Sequence, residues 1–286
     1  MSLYDLLITP FESFSFMRIA LVACLALALS NGPLGIMLLL RRMALDANVL
    51  SYAVMPGAAL GFAYAGHSLT ALSLGGLASG GLVAGLTGML GRAGTPRQAA
   101  GLIAFYLVAL ALGVMLVALF GSNVDMVRVL FGTVLAIDVR ALIQIAAVST
   151  LTMLLLAIFY RPMAVDSFDP VFLRMVGGRG MGWLFMLLVL LNLVASFQAF
   201  GTLLAIGPML LPAAAARCWT HRPEVMMALA SAFGMLSACA GLLLSYHRNL
   251  PSGPAIVMAA GLLYGVSLLA SKAANTVRTR INRERP

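Results

Sequence analysis

Long unbroken apolar runs separated by short polar punctuation occupy the chain from about residue 17 to residue 271. A helix needs roughly 20 consecutive apolar residues to cross the hydrocarbon core of a bilayer. Runs of that kind fall at 17–40, 46–66, 69–90, 99–120, 141–160, 182–197, 199–216, 224–246 and 254–271, which predicts nine membrane spans. Between the fourth and fifth, VLFGTVLAI at 129–137 is too short to span and predicts a half-helix or re-entrant piece. A membrane β-barrel would instead show segments of about ten residues with alternating polarity. The expected fold is all-α: one polytopic transmembrane helical bundle forming a single domain over residues 1–286.

Composition supports this reading. Hydrophobic residues make up 62% of the chain, charged residues 9%, and the mean hydropathy is +1.02, outside the range of soluble globular proteins. Cys24, Cys218 and Cys239 lie in or beside apolar runs without CxxC spacing and read as small buried hydrophobes. The first 16 residues, MSLYDLLITPFESFSF, lack a basic segment and carry Asp5 and Glu12, so they predict an interfacial segment rather than a cleaved leader.

The net charge of +9 reads as topology and as contact with anionic lipid, not as a nucleic-acid footprint. With the amino terminus outside, nine spans put Arg41, Arg42, Arg92, Arg97, Arg161, Arg174, Arg179, Arg217, Arg222, Lys272, Arg278, Arg280, Arg283 and Arg285 in the cytoplasm. Those are fourteen of the 18 basic residues. The positive-inside rule therefore predicts amino terminus out and carboxyl terminus in.

Connections are short, which leaves no room for a soluble catalytic domain. The longest polar stretch, RPMAVDSFDPVFLRMVGGRG at 161–180, falls on the cytoplasmic side. Asp169 followed by Pro170 predicts the capped start of a short helix there, and the exposed Phe172 suggests docking of a soluble partner. The basic stretch 272–286 is expected to be a disordered cytoplasmic tail on anionic lipid. In the third span, Gly76 with Gly80 and Gly81 with Gly85 predict close helix packing.

Motifs for chemistry are missing. The chain has no GxxxxGK(S/T) loop, no HExxH, and no histidine deep in an expected span, so an enzyme is not expected. Of the nine acidic residues, Asp46 lies nearest a span interior, where an ionisable group is a functional candidate; pairing with Arg41 and Arg42 at the interface is the plainer reading. Asn48 and Tyr52 lie one turn apart on one helix face with Ser51 beside them, followed by the helix breaker Pro56-Gly57. They fit either interhelical hydrogen bonding or the lining of a path. Polar groups beside breakers recur in FQAFGTLLAIGPMLLPAAAAR at 197–217, with Gln198, Gly207, Pro208 and Pro212, and in SYHRNLPSGPAIV at 245–257.

Together these segments resemble the permease subunit of ABC-type zinc, manganese and iron uptake systems, the ABC-3 metal permeases. The matching stretches are GPLGIMLLLRRMALDANVLSYAVMPGAALGF at 32–62, VLFGTVLAI at 129–137, VDSFDPVFLRMVG at 165–177, GTLLAIGPMLLPAAAAR at 201–217 and GLLLSYHRNLPSGPAIV at 241–257. The resemblance implies a bacterial cytoplasmic-membrane importer built from two permease copies, alike or different, with cytoplasmic ATPase subunits and an extracytoplasmic solute-binding protein. No cofactor is expected to be held tightly; the divalent metal is cargo. On this resemblance Asp166, Phe168, Asp169, Phe172 and Arg174 would couple to the ATPase. His67, Asp125, His247 and Asn249 would form the extracytoplasmic mouth, and Asp46, Asn48, Ser51, Tyr52 and Gln198 the substrate pathway.

The chain departs from the family pattern where ligands would sit. Family members typically read GDALSHAVLPG, with an Asp and a His one turn apart; the aligned positions here are Asn48 and Tyr52. Asn249 likewise stands where an Asp often precedes Leu-Pro-Ser/Thr-Gly. Asp46 cannot replace the lost carboxylate, because two residues turn a helix by about 200°. Three expectations follow: weaker midway binding of a divalent metal, a ligand-poor half of a heterodimer, or a metal chelate or other small solute as cargo. A secondary transporter is the other class, and it would need coupling carboxylates that the chain lacks apart from Asp46.

Overall fold

The computed structural model describes residues 10, 12, 14–65, 69–90, 96–120, 132, 134–168, 180–201 and 204–283. Among these, nine α-helices occur in chain order: α1 Ser15–Leu40, α2 Ala44–Ala65, α3 Leu69–Leu90, α4 Pro96–Phe120, α5 Val139–Phe168, α6 Met181–Phe200, α7 Gly207–Arg217, α8 Pro223–Arg248 and α9 Ser252–Arg283. A 3-10 turn, Val134–Ala136, precedes α5 and lies within the short piece expected at 129–137, of which residues 132 and 134–137 are described. Among the described residues, five helices, α1, α5, α6, α8 and α9, are long and apolar enough to cross a membrane.

Three expectations are corrected. The seventh expected span, 199–216, is not one helix: α6 continues to Phe200, Gly201 takes a positive φ of 79°, and α7 begins only at Gly207 with Pro208 in its first turn. The eleven residues of α7 extend about 16 Å, too short to cross the core alone. The loop expected from residue 161 begins later, because α5 runs through Pro162 to Phe168 with a kink at Phe159 (φ −101°, ψ 15°). Proline removes the donor for the carbonyl four residues back and bends a helix without having to end it. Finally, residues 272–283 continue α9 instead of forming a disordered tail. Ala273, Ala274 and the Lys and Arg residues favour helix, and no breaker occurs before Pro286.

Two groups of helices share α6 as a bridge. The first is α1 with α5, α7, α8 and α9; the second is α2 with α3 and α4. One core lies at the end of the bundle holding the α8–α9 turn and includes Met17, Cys24, Val134, Ile145, Phe200, Leu242 and Ile256. A second lies at the end holding the α1–α2 corner, with Leu38, Met43, Leu50, Met163, Phe185 and Met209. These ends are called below the Asn249 end and the Arg41 end.

Close approach depends on small residues. Pro33 inside α1 has no N–H for the Leu29 carbonyl, and the Ser231 hydroxyl of α8 donates to that carbonyl at 3.3 Å. Gly57 of α2 and Gly75 of α3 face each other backbone to backbone, and a Cβ on either would collide with the other's carbonyl. Gly76 faces Val54 and Gly80 faces Leu190, so this pair packs inside the chain as expected, whereas a Cβ on Gly85 would meet nothing within 4 Å.

Outward faces are apolar. Val22, Leu74, Leu82, Val108, Ile143, Leu154, Ile158, Leu262 and Leu269 are all exposed, a distribution that suits acyl chains and not water. Trp183 and Trp219 are exposed at the Arg41 end, and Phe14, Phe16 and Tyr64 at the other, as in the aromatic belts of membrane proteins.

Candidate substrate pathway and coupling contacts

Helix α2 is wrapped on several sides. Val54 and Ala58 pack against Leu190, Val194 and Phe197 of α6, Met55 and Ala59 against α4, and Ala53 and Gly57 against α3. The Ser79 hydroxyl fixes the last contact by donating to the Ala53 carbonyl at 2.7 Å. Asn48, Tyr52 and Pro56 are half-buried, on the flank of α2 turned away from α6. At 1.5 Å per residue, Asn48 and Tyr52 stand about 6 and 12 Å in from the start of the helix. Ser51 and Asp46 are buried, Asp46 in the first turn, where the helix dipole favours a carboxylate.

Gln198 lies elsewhere. Its amide nitrogen donates to Ser73 Oγ at 2.7 Å and to Gln144 Oε1 at 3.3 Å, tying α6 to α3 and α5. The structure therefore does not bring it together with Asn48 and Tyr52. It belongs to a polar seam that sequence reasoning missed. Asn31 Nδ2 of α1 donates to Ser196 Oγ of α6 at 3.0 Å, Asn192 Nδ2 of α6 donates to Thr152 Oγ1 of α5 at 2.7 Å, and the Ser149 hydroxyl donates to the Ala26 carbonyl of α1. Asn31, Thr152, Asn192 and Ser196 are fully buried. Asn192 and Ser196, spaced by four in an otherwise apolar run, were the available signal.

At the Asn249 end, α8 closes on Asn249 in the left-handed conformation (φ 51°), whose N–H returns to the Ser245 carbonyl. Ser245 Oγ donates to the Leu250 carbonyl at 2.7 Å and fixes the turn. His247 is exposed, with Nδ1 2.9 Å from the Leu243 carbonyl. His67 and Asp125 lie outside the described residues.

At the Arg41 end, the side chain of Arg41 closes α1. Nη1 pairs with Asp166 Oδ2 at 2.7 Å, Nε donates to Ser167 Oγ at 3.0 Å and Nη2 to the Met163 carbonyl at 3.0 Å. The guanidinium also lies 4.1 Å from the ring centroid of Phe185 in α6. Asp166, expected as a contact for the ATPase, is thus buried in an internal ion pair. Phe168 ends α5, with its side chain outside the described residues; Asp169, Phe172 and Arg174 also lie outside them. Among the described residues no group of three His, Cys, Asp or Glu side chains is placed to hold a metal ion.

A bundle that is apolar outside and keeps its polar groups between helices defines a polytopic membrane protein. Residues 13–271 match the ABC 3 transport family, and the chain belongs to that family. It is a multi-pass permease subunit of an ABC transporter and not an enzyme; ATP hydrolysis belongs to a separate subunit. Among its relatives is the "Manganese transport system membrane protein MntC" of Halalkalibacterium halodurans, 30% identical over 262 residues, covering 91% of this chain and 88% of the relative. The "Manganese import system permease protein ScaB" of Streptococcus parasanguinis is 29% identical over 274 residues, covering 90% and 91%. Among solved structures, a chain of "PsaBC from Streptococcus pneumoniae in complex with Fab" superposes with a TM-score of 0.83 at 27% identity, covering 91% of this chain and 94% of that one.

Proposed function

We propose that this permease imports a divalent transition metal, manganese first, across a bacterial cytoplasmic membrane. The observation that carries this reading is its similarity, over about nine-tenths of its length, to manganese transport and import permeases. Two permease copies would form the pathway, two cytoplasmic ATPase subunits would drive it, and an extracytoplasmic solute-binding protein would deliver the ion. The described helices run alternately between the two ends, which supports nine crossings if residues 201–217 cross as a broken element.

Charge supports the orientation. Arg42, Arg161, Arg217 and Arg222 are exposed at the Arg41 end, against Arg18, Arg140 and Arg248 at the other, an excess that supports a cytoplasmic Arg41 end and an outside amino terminus. Metal would enter near His247 and Asn249, with His67 and Asp125 completing the mouth, and pass the flank of α2 that carries Asn48 and Tyr52. Manganese is a hard cation that accepts neutral carbonyl and hydroxyl oxygens. Asn48 and Tyr52 would offer such ligands with a weaker hold than a carboxylate and an imidazole, and the binding protein would then supply selectivity. Asp46 and Ser51 support this flank, and Gln198 acts at the α3–α5–α6 junction. Segment 165–177 would receive the ATPase, with Phe168, Asp169, Phe172 and Arg174 as contacts and Asp166 acting from inside through Arg41.

A second reading rests on the same two positions: without an anionic or imidazole ligand at 48 and 52, the cargo is a metal chelate, or the other permease copy is a different chain that holds the ligands. Uptake of radioactive manganese into proteoliposomes containing the permease, its ATPase and its binding protein separates these. Manganese-selective uptake of the free ion by permease of one kind supports the first reading. Uptake only of a chelate, or only after a second permease chain is added, transfers support to the second.

A further inference from the structure

We propose that Arg41 is a positioning residue that makes the start of α2 follow the last turn of α5, so that the buried Arg41–Asp166 pair transmits ATP-driven movement to the pathway. This rests on the transport reading above. Each nitrogen of the guanidinium has a neighbour on α5, Nη1 the Asp166 carboxylate as an ion pair, Nε the Ser167 hydroxyl and Nη2 the Met163 carbonyl, while its face covers Phe185 in the first turns of α6. Three helix ends therefore converge on one side chain that is only 1% exposed.

The backbone beneath Arg41 is stiff. The corner from α1 to α2 is three residues long, Arg41 to Met43, and its amides return to α1: Arg41 N–H to the Met37 carbonyl at 2.9 Å, Arg42 N–H to Leu39 at 3.3 Å and Met43 N–H to Leu38 at 3.0 Å. Arg42 holds the left-handed conformation at φ 56°, and the Ala47 N–H bonds the Met43 carbonyl at 3.0 Å, joining the corner to the first turn of α2. Beyond this corner α1 and α2 barely touch. Displacement of α5 at residues 163–167 is thus carried by the guanidinium into the corner, and from there into the turn of α2 that holds Asp46 and Asn48. A surface ion pair on flexible stems could not do this; a forked, desolvated one on two helix ends can.

The test uses the complete complex in proteoliposomes and reads two ratios: ATP hydrolysed per manganese ion moved, and stimulation of ATP hydrolysis by the binding protein. The double variant Arg41→Met with Asp166→Leu removes both charges together, leaving no unpaired ion in the bundle. The expectation is normal assembly and about a tenfold worsening of both ratios, each read against the variant's own basal hydrolysis, a size usual for coupling between distant sites. Arg41→Lys keeps the charge but cannot reach three partners at once, and is expected to worsen both ratios in the same direction; it decides the matter if the double variant does not assemble. Native ratios in an assembled variant overturn the proposal. If the native complex moves no manganese, the metal reading fails, and stimulation by the binding protein still tests Arg41.

Discussion

Arg41 and Asp166 meet 2.7 Å apart between the end of α1 and the last turn of α5, with their side chains 1% and 8% exposed. They are 125 positions apart in the chain, and each has nearer partners in sequence, Asp46 for the arginine and Arg161 for the aspartate.

Removing one member of this pair leaves an uncompensated charge inside the protein. Asp166→Leu alone is expected to lower stability by about 3–5 kcal/mol, whereas adding Arg41→Met restores most of the loss, since buried ion pairs replaced as a unit by apolar side chains are often neutral. Thermal unfolding in detergent, followed for the two single variants and the double variant, measures the difference. Additive losses would contradict the pairing.

The crossing of α2 and α3 makes a separate claim. Gly75→Val is expected to destabilise by about 1–3 kcal/mol, as overpacking does, because its Cβ would strike the Gly57 carbonyl. Gly85→Ala serves as the control, since its Cβ meets nothing within 4 Å. The same thermal measurement should separate the two clearly; equal effects would mean that the helices do not cross at Gly57 and Gly75.

Inside the polar seam, Thr152→Val removes the acceptor that Asn192 uses at 2.7 Å. Hydrogen bonds between membrane helices average about 0.6 kcal/mol and reach about 1.7 kcal/mol. A loss in that range is expected for Thr152→Val, and Thr152→Ser, which keeps the hydroxyl, should recover most of it.

Pro33 and Ser231 provide a thermodynamic cycle. Ser231→Ala withdraws the hydroxyl that reaches the Leu29 carbonyl. When Pro33→Ala restores a backbone donor to that carbonyl, Ser231→Ala should cost less than it does in the native background. Equal costs in both backgrounds would show that the serine is not compensating for the proline.

Much of the bundle was legible because bilayer thickness fixes the length of a spanning helix, and runs such as 17–40 and 224–246 meet it plainly. The break before α7 was only half legible: Gly207, Pro208 and Pro212 signalled an interruption, but where it falls depends on Gly201 and on packing against α1 and α8. Continuation of α5 past Pro162 was hidden for the opposite reason, since a proline inside a helix bends it without always ending it. The i, i+4 spacing of Asn48 and Tyr52 correctly placed them on one flank of α2, because helical periodicity is local. Pairing of Arg41 with Asp166, and of Asn31 with Ser196, was not legible, since partners more than a hundred residues apart meet only through the tertiary arrangement.

The central claim is that manganese passes the flank of α2 carrying Asn48 and Tyr52. The most direct measurement compares radioactive manganese uptake by the native complex and by the Asn48→Leu, Tyr52→Phe double variant in proteoliposomes, with ATP hydrolysis recorded alongside. Uptake by the native complex that falls about tenfold in the variant, equivalent to about 1.4 kcal/mol of lost contact with the ion, with assembly intact, is the predicted result. No manganese uptake by a native complex that hydrolyses ATP, or native uptake in the variant, would contradict it.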